Sequence, residues 1–161
     1  MKIVKKLSTL LITSIVSYSI MSLDFLIMPI GNSVTDKSMR WLDILTGLIF
    51  WLGLISGTVL YVIFSKECKK WYENNKGNKD IYKEKNIGLI SFFSNRAALV
   101  SDICLIVSVL LFVILMIFTD RTSYICYISI MLLVFFFTMH CVLNGKSFFV
   151  YEYVNKSLTK Q

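Results

Sequence analysis

The chain has 161 residues, of which 56% are hydrophobic, and carries 17 Lys and Arg against 10 Asp and Glu for a formal charge of +7. A soluble domain of that length lacks the volume to bury so large an apolar share. The reading is therefore an all-α integral membrane protein: one domain over residues 1–161, with four transmembrane helices as two antiparallel hairpins and both termini cytoplasmic.

The charges support that class and need no nucleic acid to explain them. Lys2, Lys5 and Lys6 open the chain, and Lys146, Lys156 and Lys160 close it. Between them, the segment from Ser65 to Arg96 holds Lys66, Lys69, Lys70, Lys76, Lys79, Lys83, Lys85 and Arg96. Only Lys37, Arg40 and Arg121 fall elsewhere. In a two-hairpin topology the first set lies on one side of the bilayer, which the positive-inside rule assigns to the cytoplasm. Any attraction is to the lipid bilayer and its anionic headgroups. Abundant lysine, isoleucine and asparagine suggest a bacterial protein, placed in the plasma membrane.

The first span is expected over residues 7–30. It follows a basic start, as a signal peptide would, but no small-residue cleavage site follows it, so it reads as retained. Thr9, Thr13, Ser17 and Asp24 form one polar stripe along it, and Pro29 with Gly31 punctuates its outer end. The second span is expected over residues 41–64, opening on Trp41 at headgroup level. It contains Gly53-Leu-Ile-Ser-Gly57, a G-x-x-x-G that lets a neighbouring helix approach closely. A basic cytoplasmic connector then covers residues 65–94. Its loop tip is Asn74 to Asn78, and its apolar end, Ile87 to Phe93, is too short to span and reads as interfacial. Ser94 is the expected N-cap of the third span, residues 95–118. The fourth, residues 124–144, follows so short a turn that the two must pair as a hairpin. Phe148, Phe149, Tyr151 and Tyr153 form an aromatic belt before a basic tail.

Ionisable groups inside a bilayer are expensive, which makes each a candidate site. Asp24 and Asp43 both fall toward the outer side, and the functional reading gives them one shared environment there; two carboxylates buried together suit proton or cation binding. The structural alternative puts Asp43 at the interface and has Asp24 bonded to nearby serines. Asp102 and His140 fall at matching depths near the cytoplasmic end. They form either a proton relay or switch, or a hydrogen bond that sets the register of two helices. His140 shares its face with Cys126, Ser129, Asn144 and Ser147. Cys141 is beside His140 in sequence but about a hundred degrees away on a helix, so the two are no dyad. Cys68, Cys104, Cys126 and Cys141 have neither C-x-x-C nor metal-ligand spacing.

No catalytic fingerprint occurs, so no enzyme and no cofactor is expected. The leading expectation is an accessory, regulatory or immunity-type subunit that packs its helices, Gly53 and Gly57 foremost, against a larger membrane complex or itself. The alternative is a homo-oligomeric small transporter or ion or proton pore that uses the intramembrane acids.

Overall fold

A computed structural model describes residues 2–27, 40–74, 91–120 and 123–159. Among these the structure is all helical: α1 (Lys2–Leu23), a 3-10 turn (Asp24–Leu26), α2 (Arg40–Asn74), α3 (Arg96–Phe118), α4 (Tyr124–Leu143) and α5 (Lys146–Thr159). Four stretches, Ile3–Leu26, Trp41–Asn74, Arg96–Phe118 and Tyr124–Leu143, are long and apolar enough to cross a membrane. The expected outer punctuation at Pro29 and Gly31, the connector's loop tip beyond Asn74 and residues 87–90 lie outside the described residues.

α1 begins at Lys2, five residues before its expected start at 7, and gives way to the 3-10 turn at Asp24, and two larger departures follow. α2 has 35 residues, about 52 Å at 1.5 Å per residue, against a hydrocarbon core of about 30 Å. It therefore runs ten residues past its expected end at 64, through Lys66, Lys69 and Lys70. α5 is a helix where only an aromatic belt and tail were expected. One cause explains both. Phe64 and Cys68 on α2, Leu7 on α1, and Val150 and Val154 on α5 are all at most 1% exposed and form one cluster. Hydropathy along the chain reads charged residues as an end, whereas this core lets the helices continue beneath their charges.

α1 packs along α2. Lys6 meets Glu67 at 3.0 Å, Ser14 donates to the Gly57 carbonyl, Met21 lies against Gly53, and Phe25 meets Phe50 edge-on. Close approach is possible because Gly53 and Gly57 carry no side chain. A Cβ on Gly53 would stand 2.9 Å from the Ser17 carbonyl, and one on Gly57 would stand 2.9 Å from the Tyr18 ring. The G-x-x-x-G face is thus filled from within the chain.

α3 packs on α4 through Ala98, Ser101, Asp102, Leu105 and Ser108, all buried. Tyr124 at the start of α4 donates to the Leu26 carbonyl, joining the far ends of α1 and α4. At the opposite end α5 ties the pairs together: Tyr151 shares a hydroxyl hydrogen bond with Ser8, and Ser147 shares one with Ser65. The ends carrying Lys5, Lys6, Lys66, Lys69, Lys70, Arg96, Lys146 and Lys156 are therefore gathered together.

Candidate functional site

The densest polar assembly is built where α3 begins and α4 ends. Asp102, one and a half turns into α3, has no exposed surface. His140 Nδ1 stands 2.7 Å from its Oδ1; an ionised carboxylate only accepts, so the ring nitrogen is then the donor. Asn144 Nδ2 donates to both carboxylate oxygens at 3.0 and 3.1 Å. The Phe93 N–H completes the set, donating to Oδ2 at 2.7 Å.

That last bond draws the chain into a tight approach. Phe93 has φ 57, left-handed for a residue other than glycine, a conformation that costs about 1–3 kcal/mol and persists only where its surroundings hold it. Phe92 lies over His140 with ring centroids 4.5 Å apart, roofing the network with an aromatic face. The Ser94 N–H and hydroxyl both donate to Asn144 Oδ1. The N-cap of α3 is Asn95, not the expected Ser94: its Oδ1 accepts from the Ala98 N–H, while its Nδ2 reaches the Leu143 carbonyl. Ser94 fails as a cap because its hydroxyl is engaged across the helix interface.

Asp102 and His140 thus meet, as their matching depths suggested. Asn144, which sequence placed on the His140 face and at the membrane exit, is the hub. Its spacing of four from His140 put both on one face, but nothing local showed that a single amide would bond a carboxylate and a loop at once.

The second intramembrane acid is a different case. Asp24 opens the 3-10 turn after α1, is 1% exposed, and neither carboxylate oxygen has a hydrogen-bond partner among the described residues. Of the nearby serines expected to serve it, Ser19 donates to the Ile15 carbonyl of its own helix. Ser22 donates to Tyr18 and Ser129 to Cys126, each to a carbonyl of its own helix. An ionised carboxylate so placed would cost several kcal/mol; a bound proton or cation removes that cost. Asp43 is exposed and does not share the burial of Asp24.

Of the expected polar stripe of α1 only Asp24 is buried; the hydroxyls do not line the interior. Thr9 and Thr13 are exposed, and with Ser17 they donate to carbonyls of their own helix, the arrangement that lets a hydroxyl face an apolar medium. The inward face of α1 is Leu7, Leu11, Ser14, Tyr18 and Met21.

All four cysteines are thiols, and Cys141 is exposed while its neighbour His140 is buried. Among the described residues no group of three or more His, Cys, Asp or Glu side chains stands close enough to hold a metal ion. No protein family, curated protein or solved structure matches the chain.

Proposed function

We propose that the protein is an accessory or regulatory subunit of a larger membrane complex, immunity-type proteins included, that acts by helix packing and without enzymatic chemistry or cofactor. In this reading the two helix pairs are antiparallel hairpins of one domain in a bacterial plasma membrane. The gathered basic ends, both termini among them, face the cytoplasm.

The observation that carries it is where polar groups and apolar surface lie. The Asp102 network turns its polar groups on one another inside the chain. α3, by contrast, packs in the main against α4 alone and turns Val100, Val107, Leu110, Ile114 and Ile117 outward, each more than half exposed. That surface suits lipid and a partner helix equally. Gly53 and Gly57, engaged by α1, are not the surface involved.

A second reading, a homo-oligomeric small transporter or ion or proton pore, is favoured by one observation, the carboxylate of Asp24, which is buried with no hydrogen-bond partner among the described residues. Native mass spectrometry of the tagged protein in mild detergent separates the two. A different membrane protein retained in fixed stoichiometry is the expected result. A homogeneous homo-oligomer without a companion supports the pore, and a lone monomer removes both readings.

A further inference from the structure

A cleft at the basic end is walled by Ser94, Asn95 and Arg96 from the start of α3 and by Phe149, Glu152 and Lys156 from α5, around about 490 Å³. The three α5 residues recur at i, i+3 and i+7 and so form one stripe. The same helix buries Val150 and Val154 completely on its other side. α5 therefore uses one face for the core and turns a charged one toward α3.

The charges in the cleft do not cancel. Glu152 Oε1 already accepts from Lys156 Nζ at 2.9 Å. Arg96 is exposed and forms no ion pair among the described residues, so the walls keep one positive charge in excess. Ser94 and Asn95 turn their side chains inward to Asn144 and to the Leu143 carbonyl and serve as wall. Arg96 follows directly on the N-cap, so the positive end of the α3 dipole adds to its charge.

Depth selects among anions. Ser94 is bonded to Asn144, the residue that ends α4, so the cleft lies where the apolar spans give way to the basic end. The phosphates of a bilayer lie at that level. Phe92 and Phe93, about half exposed immediately before Ser94, offer apolar surface beside it.

We propose that this cleft binds the headgroup of one anionic phospholipid, its phosphodiester held by the Arg96 guanidinium. The inference rests on the helices crossing a bilayer, not on the accessory-subunit reading. A guanidinium pairs with phosphate through charge-assisted, often bidentate hydrogen bonds.

The test uses the full chain, stripped of lipid in a neutral detergent and offered dioleoyl phosphatidylglycerol or dioleoyl phosphatidylcholine, with retained lipid counted by native mass spectrometry. The expected result is one phosphatidylglycerol held in preference to phosphatidylcholine. Arg96→Gln should weaken it about tenfold, the loss of one charge-assisted contact. Lys69→Gln, which removes an exposed cation paired with Glu73 on α2, should leave retention unchanged. Equal retention of the two lipids, or equal losses in both variants, overturns the site in favour of diffuse charge attraction. Competition by inorganic phosphate at the concentration of the lipid also overturns it, by pointing to a soluble anion. Should Arg96→Gln fail to fold, Glu152→Gln decides: removing the competing carboxylate should tighten phosphatidylglycerol, and unchanged or weaker binding ends the proposal.

Discussion

At the scale of single residues, the two buried acids occupy opposite extremes of satisfaction. Asp102 collects donors from His140, Asn144 and the Phe93 backbone, whereas Asp24 collects none among the described residues. Truncating a partner of the first should be costly, because a buried acceptor loses its donor. Asn144→Leu is expected to lower stability by about 1–3 kcal/mol, read from reversible unfolding in detergent by circular dichroism; an unmoved midpoint would mean that the network contributes nothing to the fold. Asp24→Asn should spare stability, since no partner is lost. Under the pore reading, that substitution should also abolish ion or proton flux that the wild type shows in liposomes. A wild type without flux would dispose of that reading, and flux surviving in the variant would dispose of Asp24. Sequence singled out both acids by their setting in apolar helices. It could not show which one was satisfied, because the donors come from another helix and a loop.

At the scale of elements, three glycines set how closely helices meet, and the structure ranks them. A methyl at Gly53 would press on the Ser17 carbonyl and Met21 backbone, at 2.9 and 3.0 Å, and neither can rotate away. At Gly145 the obstacle is the Tyr61 hydroxyl, the far end of a side chain. Gly53→Ala should therefore lose about 1–3 kcal/mol and Gly145→Ala less, with the same unfolding measurement as judge. The reverse order would show that α1 shifts easily on α2. G-x-x-x-G announces close packing but does not name the neighbour. Here that neighbour is α1 of the same chain, so this motif does not argue for an external partner. The unforeseen elements, the end of α2 and all of α5, are held by Phe64, Val150 and Val154, contacts spanning some ninety residues of sequence.

At the scale of the whole molecule, the arrangement predicts an orientation. With Lys5, Lys6, Lys66, Lys69, Lys70 and Lys146 gathered at one end, that end should be cytoplasmic. A green fluorescent protein fused after Gln161 should fluoresce in cells, and alkaline phosphatase fused there should be inactive; the opposite pair of results would invert the topology. Sequence alone determined the class and the four apolar helices. Length and apolarity are local properties, and crossing a bilayer asks for little else. α3 and α4 accordingly begin and end within a residue of expectation. The tertiary structure decided what the helices do with their polar residues: Asn144 as hub, Asn95 rather than Ser94 as cap, Thr9, Thr13 and Ser17 bonded to their own backbone, and Asp24 left without a donor among the described residues. Each depends on which side chain arrives across an interface. A helix surrounded by apolar neighbours carries little periodic signal of which face is turned inward, so those choices are settled only when the helices meet.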